Sequence, residues 1–277
     1  MKRLLKIEFT KLMSNRSSKL LVFAYFGLLL SLAFLCLVKL NLGFITFDFV
    51  EQGLFEFPLI WHVNTYVASY LKIFLAIVII SMISSEYSYK TLKQNLIDGL
   101  SKQEFLNSKF YMILALSLIS TVFVALLSLI LGSVYSIDTS IESILSDIMF
   151  IPAFFVELVG FFTICMFLGF LIKRSAFALG FLILLYISEV VLNGVLSLSS
   201  MSYDTKHLVL DLLPMNAIGD LIISPFSRLE VVQDIRNNIG DKAVIDYHVP
   251  IKSMAITVFW TVICYFMSLN LLKKRDL

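Results

Sequence analysis

The chain has 277 residues, 59% of them hydrophobic and 15% charged, with a formal net charge of +2 and a mean hydropathy of +0.91. A soluble globular domain carries roughly a quarter charged residues, and so small a net charge leaves no electrostatic footprint for nucleic acid. Repeated apolar runs of about 18 or more residues predict transmembrane helices instead, in a single all-α polytopic domain over 1–277.

Residues 2–19 come first. Leu5, Phe9, Leu12 and Met13 share one helical face, with Lys2, Lys6 and Lys11 elsewhere. That pattern predicts a basic amphipathic helix lying in an anionic leaflet. The first span, 20–38, is bracketed by Lys19 and Lys39. Its apolar core is too long for a cleaved signal peptide, and CLVKLNLG offers no small-residue cleavage site. The second span, 66–83, carries Lys72.

The polar stretch after it opens with a helix over 86–98. Tyr89, Leu92, Leu96 and Leu100 form a narrow apolar stripe, and Lys90, Gln94 and Asp98 lie off it. Gly99 reads as the residue past the helix end, where a left-handed backbone suits glycine. Ser101 and Glu104 have the spacing of a capping box, flanked by Leu100 and Phe105 at the staple positions. A new helix therefore starts at Lys102 and meets no breaker before Gly132. It is about 45 Å long against a hydrocarbon core of about 30 Å, so the third span, 110–134, projects a couple of turns beyond the membrane. Such a stretch either seals a loop to lipid or docks a partner.

The fourth span, 148–172, carries Glu157, and the fifth, 176–198, carries Glu189. Intramembrane charges are functional candidates by default. Lys72 pairs with Glu157 or Glu189, or else Lys72 snorkels and each glutamate is protonated or bonded within the bundle. Residues 199–252 contain Pro214, Gly219 and Pro225 and hold no straight span. They read as a helix pair around 208–221 followed by a polar surface piece over 228–247, or as an ordinary folded loop. The sixth span is 253–272.

Basic residues fix the orientation. Fifteen of the 22 lysines and arginines fall in the N-terminal segment, the loop holding Lys90, Lys93, Lys102 and Lys109, the Lys173–Arg174 loop, and the tail of Lys273, Lys274 and Arg275. The opposite short loops hold Asp48, Glu51, Glu56, Asp138, Glu142 and Asp147. Both termini are expected in the cytoplasm. Cys36, Cys165 and Cys264 lie within spans as packing residues, with no disulfide or metal spacing. His62, His207 and His248 are expected in outer loops, as surface or interface residues. The sequence has no GxxxxGK[ST], HExxH or GxSxG. No catalytic residue and no cofactor of its own are expected.

The run from Glu86 to Lys109 resembles a pattern in permeases of type-2 ATP-binding-cassette exporters, closest to the bacitracin-resistance and lantibiotic-immunity-like ones. The matching positions are Glu86, Thr91, Leu92, Leu96, Gly99, Ser101, Lys102, Phe105 and Lys109. Lys90 stands where a glycine is usual, and Lys102 where an arginine is usual. The layout of six spans, a basic N-terminal helix and a large outer segment extends the resemblance over the whole chain.

The resemblance implies that 85–101 is a coupling helix and turn that enters a cleft on an ATPase subunit. Tyr87, Tyr89 and Leu92 would be its apolar contacts. Lys90, Lys93 and Asp98 would set charge complementarity, which governs specificity more than affinity. It further implies an N-terminal elbow helix and short outer re-entrant helices between spans five and six. Two ATPase subunits would bind ATP and magnesium beneath two permease chains, identical or sister. The setting would be the lipids of a bacterial plasma or inner membrane, and the resemblance names no substrate. Two other readings compete. One is a membrane scaffold or sensor that binds a cytoplasmic partner without transport. The other is an ion-coupled secondary transporter using Glu157 and Glu189.

Overall fold

The structure is a computed structural model that describes residues 2–41, 46–47, 49–199, 202–228, 232 and 247–274. Asp48, Arg275 and nearly all of the polar piece expected over 228–247 lie outside the described residues. Inside a bilayer no water pairs backbone amides, so an apolar chain satisfies them within helices. Six helices here are long and apolar enough to cross a membrane.

The helix α1, Lys2–Ser14, precedes α2, Arg16–Leu35. The Asn15 side chain accepts from the Ser17 and Ser18 amides and caps α2 at the break. A two-residue antiparallel ladder joins β1, Leu40–Asn41, to β2, Thr46–Phe47. It is the one departure from an all-α chain among the described residues. Then come α3, Leu59–Ser88, α4, Thr91–Ile97, and α5, Lys102–Tyr135. The short α6, Ile141–Leu145, leads into α7, Phe150–Ile172, and α8, Ser175–Leu198. Last are α9, Tyr203–Asp211, α10, Pro214–Gly219, a 3-10 turn at Phe226–Arg228, and α11, Ile251–Lys274.

The second span begins at Leu59 rather than at Tyr66. Polar residues hide this start in the sequence, yet each finds a partner inside the bundle. His62 Nε2 lies 2.8 Å from the Ile223 carbonyl. Asn64 donates to the Ser128 hydroxyl at 2.8 Å, and Thr65 donates to the Trp61 carbonyl at 2.7 Å. His62 is therefore not a loop residue. It is fully buried in α3 and stacked on Phe150 at 4.0 Å. The α5 helix runs through Gly132 to Tyr135, so its 34 residues span about 51 Å.

The α7 helix is the centre of the bundle. It packs against α3, α5, α8, α10 and α11, and Phe154, Leu158, Phe162 and Phe170 are buried along it. Close approach to α11 depends on Gly160, where an added Cβ would lie 2.6 Å from Thr257 Cγ2. The α2 helix lies on α3, and its buried Tyr25 hydroxyl bonds to Ser120 of α5.

One end of the bundle gathers α1, α4 and the last turn of α11. Lys102 donates to the Lys273 carbonyl there. The other end is covered by 203–228. Trp260 Nε1 donates to the Leu212 carbonyl at 2.8 Å, Lys252 pairs with Asp211 at 2.7 Å, and Arg228 pairs with Asp147 at 2.6 Å. Before α6, hydrogen bonds from the Ser143 hydroxyl and from the Ser140 amide and hydroxyl hold the exposed Asp138 below the usual carboxylate range. The expected helix pair around 208–221 is α9 and α10. The first starts earlier, at Tyr203, and the second opens on Pro214, whose missing N–H costs nothing at a first helical position.

This geometry predicts two contrasting glycine substitutions. Gly160→Leu drives a side chain into α11 and lowers the thermal midpoint of the detergent-solubilised chain, read by fluorescence-detected size exclusion. Gly27→Ala, where nothing lies within 4 Å of an added Cβ, leaves the midpoint unchanged or raises it slightly.

Candidate functional site

The end of the bundle that gathers α1 and the last turn of α11 is built around four charges. Glu8, Glu86 and Lys109 are each 3% exposed or less. Lys109 Nζ lies 2.6 Å from Glu8 Oε2 and 2.6 Å from Glu86 Oε1. Lys11 Nζ lies 2.8 Å from Glu86 Oε1 and 3.7 Å from Glu8 Oε1. The Thr91 hydroxyl donates to Glu86 Oε2 at 2.5 Å. Two carboxylates and two ammonium groups cancel. The cluster thereby joins α1, the end of α3, the start of α4 and the first turns of α5.

This corrects the reading of 86–98 as one helix. Glu86 belongs to α3, and the chain turns between α3 and α4 at Tyr89 and Lys90. Lys90 is left-handed, with φ 56°, a backbone that glycine adopts without a Cβ penalty. A second turn follows at Gly99, with φ 95°. Ser101 then caps α5. Its hydroxyl accepts from the Glu104 amide at 3.1 Å, and the Glu104 carboxylate accepts from the Ser101 amide at 2.9 Å. Phe105 is buried beside it and Leu100 half-buried.

The helix α4 is thus clamped between two corners, and its faces can be assigned. Leu92 is 2% exposed and packs inward with Leu96 and Leu100. Leu92 is therefore not available as a contact for a partner. Tyr87 is also turned inward, its ring against Phe170 with Lys173 over it. The outward face carries Tyr89, Lys90, Lys93, Gln94, Ile97 and Asp98. Tyr89 is 79% exposed and Ile97 is 76% exposed.

Sequence reasoning missed Ile97, whose position off the leucine stripe was its signal. It also missed Glu8, the one acid among the bases of 2–19. The inward face of α1 is Glu8 and Leu12, while Phe9 and Met13 stay exposed. An amphipathic reading cannot find this, because it assigns every charge to the outside.

The second group of candidates lies within the bundle. Lys72 on α3 pairs with Glu157 on α7, and Ser69 donates to the same carboxylate oxygen. Lys72 Nζ also lies 3.3 Å from the Ser69 hydroxyl and 4.8 Å from the centre of the Phe161 ring. Glu189 is not part of this pair. Its two oxygens accept from the Met215 and Asn216 amides at 3.1 and 2.9 Å, so it caps α10 from within α8 and holds 203–228 down. Lys72 opens on a cleft of about 350 Å³ between α3, α7, α8 and α10. Among the described residues no group of histidine, cysteine and carboxylate side chains could hold a metal ion.

The family model for ABC-2 family transporter proteins matches residues 15–277 of the chain. A comparison with curated proteins finds no match.

The charge cluster predicts an ordered set of stabilities. Lys109→Met leaves two buried carboxylates short of a partner and costs about 3–5 kcal/mol. Glu8→Gln added to it recovers part of the loss, since the two changes are coupled. Lys90→Gly relieves a left-handed lysine and gains about 1 kcal/mol. Thermal midpoints of the purified variants check the order.

Proposed function

The chain belongs to the ABC-2 transporter family and is a multi-pass membrane permease subunit of an ABC transporter, and on that premise we propose that α4 is the surface on which its ATPase docks. The observation that carries this reading is the outward patch of Tyr89, Lys93, Gln94, Ile97 and Asp98, held rigidly by the buried cluster behind it. Aromatic and aliphatic groups at the centre of a small patch supply affinity, and the flanking charges supply register. A push on this patch reaches α3 and α5 directly, because Thr91, Glu86 and Lys109 bind one another across the corner.

In this proposal the lysine-rich end faces the cytoplasm, following the positive-inside bias. The helix α1 is an elbow in the anionic inner leaflet of a bacterial plasma membrane. Its basic residues Lys2 and Lys6 face lipid, and Lys11 reaches back into the cluster. Two permease chains, identical or sister, pack side by side over two ATPase subunits. ATP and magnesium belong to those subunits. Closure of the ATPases moves both α4 helices together and rocks the spans, in the direction of export. The helices α9 and α10 form the outer re-entrant cover. The helix α8 is the least buried of the six spans and offers its free face to the second chain. A bacitracin-resistance or lantibiotic-immunity role rests on the resemblance of the Glu86–Lys109 run.

Co-expression with a partner ABC ATPase from the same organism tests the reading. The ATPase is expected to copurify in mild detergent. A cysteine at Gln94 or Ile97 is expected to crosslink to it, and one at Leu92 is not. Ile97→Asp is expected to weaken the association on the order of tenfold or more, as for an apolar anchor. Absence of both copurification and crosslinking overturns the proposal.

A further inference from the structure

The cleft in front of Lys72 is more than a seam between helices. Its walls are apolar, formed by Ile73, Phe161, Ile183, Ile218 and Ile222, while Lys72, Ser69, Tyr66, Tyr70 and Tyr186 converge on it with polar groups. An apolar chamber of a few hundred Å³ with a small number of convergent polar groups is the usual form of a small-molecule site. At the mouth Tyr70 is 67% exposed and Tyr186 is 61% exposed. The Lys72 side chain, 15% exposed, lies deeper, and the Glu157 side chain behind it is 1% exposed.

The deepest polar group lining the cleft, Lys72, is a donor only, while the tyrosine hydroxyls at its mouth both donate and accept. Lys72 has three N–H bonds; Glu157 and Ser69 take two of them. The Tyr66 and Tyr70 hydroxyls bond to each other at 2.8 Å, and that pair keeps one O–H to give. A ligand head that reaches Lys72 must therefore bring an acceptor. Its charge is constrained as well. Lys72 and Glu157 sum to zero, and a net charge brought against them in a low-dielectric site would stay uncompensated.

The geometry points to a binding site for an amphiphile with no net charge, whose head carries hydrogen-bond acceptors such as ester, amide or sugar oxygens and whose body lies against Phe161 and Ile218. The ion pair is its selectivity element. Lys72 gives its third N–H to the head. Ser69 also binds the Glu157 carboxylate, so that carboxylate keeps a partner when Lys72 leans toward the ligand. Glu157 acts as a positioning residue that sets the charge of the site and touches no ligand. This inference rests on the transporter reading in that it makes the cleft a place where cargo binds.

The test uses the full chain with its ATPase in phosphatidylcholine nanodiscs. Three dodecyl probes carry the same photoreactive diazirine and differ only in head: glycerol, phosphate or trimethylammonium. Mass spectrometry maps the label. The glycerol probe is expected to label peptides of α8 and α10 that line the cleft. Unlabelled glycerol amphiphile should compete it off on the order of tenfold or more better than either charged one does, because a net charge beside the neutral ion pair stays uncompensated. Glu157→Gln should move the preference toward phosphate, and Lys72→Gln toward trimethylammonium. Tyr186→Phe, at the exposed mouth, should weaken glycerol-probe labelling and keep the order of heads, which decides the matter even where the buried variants fail to insert. Labelling that is insensitive to the head, or unchanged by both Tyr186→Phe and Glu157→Gln, overturns the site. Copurification of the ATPase on the same preparations separates the two proposals: its loss sinks the transporter docking, and its retention with no cleft labelling sinks only this site.

Discussion

Charge in a low-dielectric bundle must be cancelled where it stands, and that constraint organises this chain. An isolated ion inside such a structure costs several kcal/mol even after relaxation. Each buried charge described above is accordingly tied to a group on another element. Glu8 and Glu86 are held by Lys109 and Lys11. Glu157 is held by Lys72 and Ser69, and Glu189 by the first amides of α10. These ties join residues 23 to 101 positions apart in most cases. They fix relative placements that apolar contact alone, which has no direction, leaves free.

The same constraint explains why the corner between α3 and α4 is rigid. A seven-residue helix has little stability of its own, since most of its hydrogen bonds only repay nucleation. The α4 helix is kept by its surroundings. Thr91 at its start is bonded to a carboxylate of α3, Leu92 is buried, and Gly99 and the Ser101–Glu104 box stop it at the far end. The strained element is Lys90. A left-handed lysine is disfavoured by about 1–2 kcal/mol, and the Thr91–Glu86 bond beside it offsets that cost. Moving α4 without moving α3 would break a buried network, so the two travel together.

Much of the architecture was legible because it rests on local signals. The six spans follow from apolar runs, the start of α5 from a four-residue cap, and the turn at Gly99 from the residue type that adopts a left-handed backbone without a Cβ penalty. The misses share one physical origin. Polar residues inside a membrane bundle look like loop residues until their partners are known. His62, Asn64 and Thr65 concealed the first turns of α3, because Ile223 and Ser128 are far away in sequence. Glu8 concealed the inward face of α1 for the same reason. Leu92 was misjudged in the opposite direction: periodicity finds an apolar stripe but cannot say whether the stripe faces the bundle or a partner. The Lys72–Glu157 pairing was one of two options at similar depth, and the choice fell to Glu189 being used elsewhere, as the cap of α10.

That division between the two glutamates has a mechanical consequence. Glu189 is bound by backbone amides, which cannot turn away without unwinding α10. Glu157 is bound by two flexible side chains, Lys72 and Ser69, both on α3 and three residues apart. Ser69 supplies a hydrogen bond and Lys72 the compensating charge. Glu189 is therefore built as a fixed anchor between α8 and the segment over the bundle end, and Glu157 as a side-chain tie with more freedom between α7 and α3. The cleft lies between these two anchors, lined by α3 and α7 on one side and by α8 and α10 on the other. Glu189 ties α8 to α10, which also packs on α7 and α11, while Lys72 ties α3 to α7. One backbone-bound tie and one side-chain tie thus border the cleft, and the side-chain tie has freedom only while Lys72 stays within reach of Glu157, because Lys72 supplies the charge that compensates that carboxylate.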